Sequence, residues 1–385
     1  MREDFQAPLG LEPRKAAGRS GARAASLAAA GVALFGLAYG AKVYWPRSAP
    51  AGQASAPIET AAAPAPQPSA PATPPAAQAP AATADNGSGV KIVRGGEGGS
   101  SGALIIDIGQ ALGTKLAPAP DKRLVEKTKD GILPRIGADG SRAAEVYARP
   151  VIVSDKLKRG APRIAIFVGA VGLDADVAEA AIKKLPPGVT LGLAPYGPDM
   201  ARVAAEAREN GHEIWLQAPM EGFGVAQNPG PHTLLAEGSA ADNLDSLHWL
   251  MGRFVGYVGV ANYLGGKFTS DSVALTPVLK DVADRGLLFL DDGTSPRSLV
   301  RDVAAPLNLL NARADLDLDA DRANKSLEAG LIRLEAQARA QGSAIAVISA
   351  LPDTIDAVAR FARELEGRGI LLTPVSALAG AGAKP

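Results

Sequence analysis

From Arg163 onward, short apolar runs alternate with longer amphipathic stretches. Ile164-Ala165-Ile166-Phe167-Val168 is unbroken apolar between Pro162 and Gly169, the pattern of a parallel strand buried on both faces. Asp174 to Lys184 reads as a helix stopped by Pro186-Pro187-Gly188, and Val189 to Ala194 as the next strand. Asp199 to Asn210 is amphipathic and helical, with Gly211 placed to end it. The spacing then predicts a strand over Glu213 to Leu216, a long loop over 222–238, a helix over Ala240 to Phe254 and a strand over Tyr257 to Ala261. A helix over Ser272 to Gly286 follows, then a strand over Leu287 to Leu290 that ends on Asp291-Asp292-Gly293. One long helix over Asp321 to Gly342, a strand over Ala344 to Ser349, a helix over Thr354 to Arg368 and a strand over Ile370 to Leu372 complete the pattern.

Such alternation implies a parallel α/β sheet with right-handed crossovers. About seven strands with helices between them predict a distorted (β/α) barrel, and a doubly wound open sheet shares the same pattern. No Gly-x-Gly-x-x-Gly or phosphate-loop string follows any strand, so no nucleotide site is expected.

The first ninety or so residues follow a different logic. Residues 1–23 are polar and carry Arg14, Lys15, Arg19 and Arg23, as expected of a cytoplasmic tail. Ala24 to Ala41 runs without a charge, and Tyr44 and Trp45 add interfacial aromatics, so residues 24–45 are expected to form a transmembrane helix. A cleaved signal peptide is the alternative, but Lys42 and Trp45 stand where its small-residue cleavage site should be. Residues 46–90 are almost entirely Ala, Pro, Gln, Ser and Thr, which cannot bury a core and act as an extended, disordered spacer. The expected order is therefore tail, anchor, linker, an irregular leading segment over 91–160, and a folded domain over 161–380. An anchor with a spacer places that domain in the periplasm, single-pass from the inner membrane.

Composition narrows the function classes. Net charge is zero with no basic excess, which argues against a nucleic-acid partner. Cysteine is absent, which excludes disulfides and thiolate metal sites. Only His212, His232 and His248 are available, too few for a His-rich zinc site.

Candidate chemistry gathers around Gly211-His212-Glu213-Ile214-Trp215-Leu216-Gln217-Ala218-Pro219-Met220-Glu221-Gly222. A strand is expected to run straight into a loop that presents Gln217 and Glu221. In an α/β barrel such residues face the active-site mouth. Asp291 and Asp292 form an acidic pair at another strand end, suited to acid–base work or, alternatively, to a local turn. Asn262, Tyr263 and Lys267 follow a strand and could hydrogen-bond a polar ligand, a solvated loop being the equal alternative. His212 is read as a structural histidine first and a substrate contact second, and Trp215 as core. His232 lies in a loop that could border a cleft, and His248, beside Trp249, is read as packing. The run Asp315, Asp317, Asp319, Asp321 lacks the glycine and terminal Glu of an EF-hand, so it is expected to be solvated with a helix N-cap at Asp319 or Asp321.

Several of these strings, in order, resemble the divergent polysaccharide deacetylases of the wider NodB-like superfamily. They are Ile164-Ala165-Ile166-Phe167-Val168, Leu185-Pro186, Gly211-His212-Glu213, Leu216-Gln217-x-Pro219-Met220-Glu221 and Asn228-Pro229-Gly230-Pro231. Gly256-Tyr257-Val258-Gly259-Val260-x-Asn262, Lys267-Phe268-Thr269, Gly286 to Gly293 and Pro374-Val375-Ser376-Ala377 continue the match, which spans about 163–379. The resemblance implies a distorted (β/α) barrel that acts on cell-envelope polysaccharide or peptidoglycan. It also implies a hydrolase that removes acyl groups. Catalytic members place an Asp pair after the first strand and two His four residues apart after a later one, around a divalent, zinc-like metal. Here Gly169-Ala170 stand at the Asp pair, Gln217 and Glu221 at the two His, and Tyr263 near a third His position. A tight divalent site is not expected from that set.

The catalytic candidates are then Asp291, Asp292 and Glu221, and the substrate-binding candidates Gln217, His212, Asn262 and Lys267. A zinc-like metal is expected only if the family chemistry is retained. Two readings stay open: a membrane-anchored periplasmic deacetylase-family protein with a degraded metal site, and a non-catalytic glycan-binding or envelope-scaffold protein.

Overall fold

The computed structural model describes residues 115–380 apart from 155–156, 158–159, 225–228 and 324–325, together with the backbone of two short strands, Lys91–Val93 and Ile105–Asp107. The expected tail, anchor (24–45) and linker (46–90) lie outside the described residues. Among the described residues no helix is long and apolar enough to cross a membrane.

Nine parallel strands form the central sheet: β1 Arg163–Val171, β2 Thr190–Leu193, β3 Ile214–Met220, β4 Gly259–Leu264, β5 Leu288–Asp291, β6 Asn311–Arg313, β7 Leu316–Asp317, β8 Ser343–Ser349 and β9 Leu371–Leu372. The sheet order is β6-β5-β4-β3-β2-β1-β8-β7, and β9 also pairs with β1. The two ends of that order, β6 and β7, are separated in the chain by Ala314 and Asp315 alone. Arg313 pairs with Asp291 on β5, while Leu316 pairs with Ala346 on β8. One short stretch of chain thus pairs with both edges, and the sheet is curled.

The helices between the strands are α1 Ala175–Lys184, α2 Met200–Glu209, α3 Ala240–Met251, α4 Ser272–Asp284, α5 Val300–Ala304, α6 Leu318–Ala323, α7 Leu327–Gln341 and α8 Pro352–Glu364. Asp174, Asp199, Ser239 and Asp271 each cap a helix start with a side-chain acceptor, which satisfies N–H groups the helix cannot.

Inside the curl the side chains stack in layers. Phe167 and Trp215 meet edge to face at 6.5 Å in the middle. Gly192 and Gly259 flank them because a Cβ on either would run into those rings. Alternation along β3 puts Glu213 below Trp215 and Gln217 above it. The lower end is crossed by the C-terminal segment: the Val375 N–H donates to Thr190 Oγ1, the Ser376 N–H to Glu213 Oε1 and the Gly380 N–H to the Asn311 carbonyl.

Four sequence expectations need correction. The strand at 213–216 runs on to Met220, so Gln217 and Pro219 are strand residues. The reason is register: β2 stops opposite Leu216, and beyond it Leu234 donates to the Pro219 carbonyl at 3.0 Å. No full ladder on that side needs the N–H that proline lacks. The leading segment is not irregular, for Val125–Thr128 and Gly131–Pro134 form a hairpin and Ala143–Val146 a short helix. Leu124, Leu133, Ala143 and Tyr147 join the same core as the sheet. The long helix at 321–342 is two, α6 and α7, and the Ser326 N–H turns back to the Asp321 carbonyl between them. The Asp run is not simply solvated. Asp315 Oδ2 accepts from the Ile345 N–H and Asp319 Oδ2 from the Ser349 N–H, which staples the β7 region to β8. Burial pushes Asp315 and Asp317 above the usual carboxylate range.

Candidate functional site

The C-terminal ends of β1, β3, β4 and β5 carry the residues of interest. Gly169 and Ala170 stand near the end of β1, with Ala170 in the left-handed region at φ 58°. Its N–H donates to Gln217 Oε1 at 2.7 Å. A Cβ on Gly169 would fall 2.6 Å from Gln217 Nε2. The carboxamide therefore occupies the space a side chain at 169 would enter.

Glu221 follows β3. Its Oε1 accepts from Lys267 Nζ at 2.8 Å and its Oε2 from the Ala236 N–H at 2.8 Å. Lys267 also reaches Glu237 Oε1 at 2.9 Å. Partial burial pulls the Glu221 carboxyl up, but the Lys267 ammonium and the Ala236 N–H outweigh it and hold it below its ordinary value. Its backbone carbonyl accepts from Lys267 and Phe268 N–H as well. Glu221 fastens the far end of its own loop and the loop after β4 together.

The two aspartates at the end of β5 differ. Asp291 is buried; its Oδ2 accepts from Arg313 Nη1 at 3.0 Å and its Oδ1 from the Gly293 N–H. Asp292 accepts from the Thr294 N–H and hydroxyl through Oδ1, and its own N–H donates to Asn262 Oδ1 at 2.8 Å. Burial pushes the Asp292 carboxyl up to about 6 despite those donors, and the Asp291 charge adds to the rise. Asn262, on β4, gives its amide to the Leu264 carbonyl and so positions the Asp292 backbone. Among the described residues, Asp292 has no ion-pair partner and is tuned toward neutrality.

His212 belongs elsewhere. It precedes β3, at the opposite end of the sheet from Gln217 and Glu221, and is fully buried. Nδ1 lies 2.9 Å from the Val189 carbonyl and Nε2 3.1 Å from the Ile182 carbonyl. Burial lowers its pKa. It ties α1 to β2 and is not a substrate contact, a correction to its place among the binding candidates. Glu213 beside it is also fully buried and accepts from Trp215 Nε1, Ser376 and the Arg149 N–H.

Apart from Tyr263, the apolar rim drew no expectation from the sequence pattern. Of the six exposed large hydrophobics among the described residues, Leu173, Phe223, Leu235 and Tyr263 lie beyond or at the C-terminal ends of the strands. The Arg297 guanidinium sits over the Phe223 ring at 4.4 Å. His232 stacks on Trp249 at 3.9 Å, and Tyr196 packs against the same indole. The Ser295 hydroxyl, near Gly266 and Phe223, is buried without a hydrogen-bond partner among the described residues. Phe223 was legible as an aromatic between glycines just past a strand; Ser295 and Arg297 left no such signal.

A divalent metal would need carboxylates or imidazoles converging on one point. Here the Gln217 carboxamide is committed to Ala170, Glu221 to Lys267, and Asp291 to Arg313. Among the described residues no three or more His, Asp or Glu stand together as a ligand set. The residues present do not fit the metal that the resemblance implies.

An uncharacterized protein from Agrobacterium tumefaciens C58, ATU2773, is 46% identical in sequence, with a TM-score of 0.61 over 65% of this chain and 100% of its own. An uncharacterized protein of Haemophilus influenzae is 24% identical over 195 residues, covering 50% of this chain and 68% of the relative. The uncharacterized protein YibQ of Escherichia coli is 23% identical over 172 residues, covering 44% and 53%. Residues 166–379, from β1 through the C-terminal segment that crosses beneath the sheet, match the family described as divergent polysaccharide deacetylase, and the chain belongs to that family.

Proposed function

We propose that this protein is a non-catalytic glycan-binding member of its family, held at the inner membrane by residues 24–45 and presented to periplasmic polysaccharide or peptidoglycan by the 46–90 spacer. One observation carries the reading: Gln217 fills the space beside Gly169 and is bonded to Ala170, so the position that would bring carboxylates to a metal is occupied by a neutral amide. The rim of Phe223, Tyr263, Leu235 and Leu173 supports it, since exposed apolar patches on a polar surface mark binding faces. Sugar rings present C–H faces to aromatics and hydroxyls to groups such as Lys267, while the buried Asn262 amide is taken up by Leu264 and Asp292.

A second reading has its own observation. Asp292, with a carboxyl raised to about 6 at a strand end, suits general acid or base work in removing an acyl group from a polysaccharide. One set of measurements on the full chain separates the two: bound divalent metal, acetate release from acetylated peptidoglycan, and affinity for the same glycan. Binding without metal or turnover is the expected result. Turnover that disappears in Asp292→Asn would overturn the binding-only reading, and no measurable glycan affinity would overturn both.

A further inference from the structure

A cavity of about 570 Å³ opens at the end of the sheet opposite the rim. It lies between the leading segment, from Lys115 to Ala117 and Arg142 to Pro150, and the N-terminal ends of β5 and β6. Its size falls within the range of small-molecule sites. Leu287, Leu288, Leu309 and Leu310 line one side of it.

The polar side of the wall is cationic. Lys115, Arg142 and Arg149 line it against one carboxylate, Glu145. The side chains of Lys115 and Arg142 have no hydrogen-bond or ion-pair partner among the described residues, which sets them apart from Arg123, Arg208, Arg285 and Arg313, each engaged by the fold. Arg149 gives Nη1 to the Gly211 carbonyl at 2.7 Å and its backbone N–H to Glu213. Ser376, also on the wall, donates its hydroxyl proton to the same Glu213. Glu213, fully buried, thereby holds the Arg149 backbone and the Ser376 hydroxyl, and burial pushes its carboxyl above its usual range. The result is a preformed pocket lined by fixed polar groups, by two cations without a partner among the described residues and by leucines.

We propose that this cavity is a second binding site, for a small amphipathic anion: a carboxylate or phosphate ester carried on an apolar body. The charged head is met by Arg142 and Lys115, whose side chains are exposed and lose little solvation when an anion docks. The apolar body replaces water against the four leucines. A neutral molecule of the same shape leaves the cations unpaired, and a bare inorganic anion leaves the leucines wet.

The test uses the full chain and calorimetric titration with 4-phenylbutyrate and 3-phenylpropyl phosphate, beside 4-phenylbutanol and inorganic phosphate as controls. Saturable binding of at least one of the two amphipathic anions, with both controls at least about tenfold weaker, is expected. The stronger of the two identifies the head group. Arg142→Glu should weaken that binding about tenfold or more, as loss of a charge-assisted contact does. A thermal melt checks that variant; should it fail to fold, Lys115→Glu, at an exposed position, takes its place. Phe223→Ala, at the opposite end, should leave the affinity unchanged. Equal binding of the alcohol, unchanged affinity in the charge-reversal variant, loss of affinity in Phe223→Ala, or no saturable binding of either anion would each overturn the proposal.

Discussion

The Gln217 carboxamide accepts the Ala170 N–H at 2.7 Å and lies against Gly169, so the three residues form one fitted unit. A carboxylate restored at 169 alone would have to displace that amide. Gly169→Asp should cost about 1–3 kcal/mol through overpacking. Gln217→Ala should cost about 1 kcal/mol by leaving the Ala170 N–H unpaired. The double variant should be less destabilised than the sum, because the second change removes the collision that the first creates. Urea denaturation of the four proteins measures the coupling, and strict additivity would disprove the fitted unit.

The middle layer makes a similar argument about volume. Gly192 faces the Phe167 ring so closely that no side chain fits between them. Gly192→Ala should therefore destabilise by about 1–3 kcal/mol, and pairing it with Phe167→Leu should recover part of the loss. If Gly192→Ala melts like the parent protein, the ring is not where the fold needs it.

Much of this arrangement was readable from the chain. The buried run at 164–168 and the capped helices after it follow directly from apolar periodicity and Asp or Ser at helix starts, and they positioned β1, β3 and β5 correctly in order. What escaped was decided by partners distant in sequence. Strands β6 and β7 hold only Asn311-Ala312-Arg313 and Leu316-Asp317, with no apolar run, and exist because β5 and β8 offer them edges. Pro219 suggested a loop because its tolerance depends on where β2 ends. At the site, Gln217 was expected in the loop but stands within β3, and the commitments of Gln217 and Glu221 to Ala170 and Lys267 come from other strands and loops. His212 read as structural first, and its backbone partners at the far end of β3 leave it only that role.

The rim should matter more to ligand than to folding. Tyr263 is 40% exposed and Phe223 47% exposed, so truncation to Ala gives up only the covered part of each ring. Each variant should lose about 1–2 kcal/mol of stability and stay folded. Glycan affinity should fall about tenfold, comparable to the loss of one stacking platform. Titration of soluble peptidoglycan fragments beside a denaturant melt gives both numbers, and unchanged affinity in the double variant would remove the rim from the binding face.

Glu221 and Lys267 predict an acid-sensitive clasp. The folded-state carboxyl is lower than the unfolded value of 4.5, so its contribution is present above that pH and is lost as pH falls through the depressed value. Both side chains are partly exposed, which limits the pair to about 0.5–1 kcal/mol. Glu221→Gln should lower stability by that amount at pH 7 and converge on the parent as pH falls through the depressed folded value. A stability profile from pH 7 down into the acid range decides it; a constant difference would mean that the loss is one of packing.

Asp292 should act in the opposite direction. Its carboxyl is raised from 3.8 to about 6 in the fold, so the folded state holds a proton there that the unfolded chain has released. By linkage, stability falls as pH rises through that interval and is flat on either side of it. The penalty above pH 6 is on the order of 1–3 kcal/mol, reduced by the partial exposure of the carboxyl. Asp292→Asn keeps an oxygen for the Thr294 N–H and hydroxyl but cannot ionise. It should therefore be more stable than the parent at pH 7.5 and equal to it near pH 4; Asp315, Asp317 and Glu213 titrate in both proteins, so the difference between the two curves isolates Asp292. If that difference is flat from pH 4 to 7.5, Asp292 is not the titrating group. The acid–base reading of this strand end would then have lost its residue.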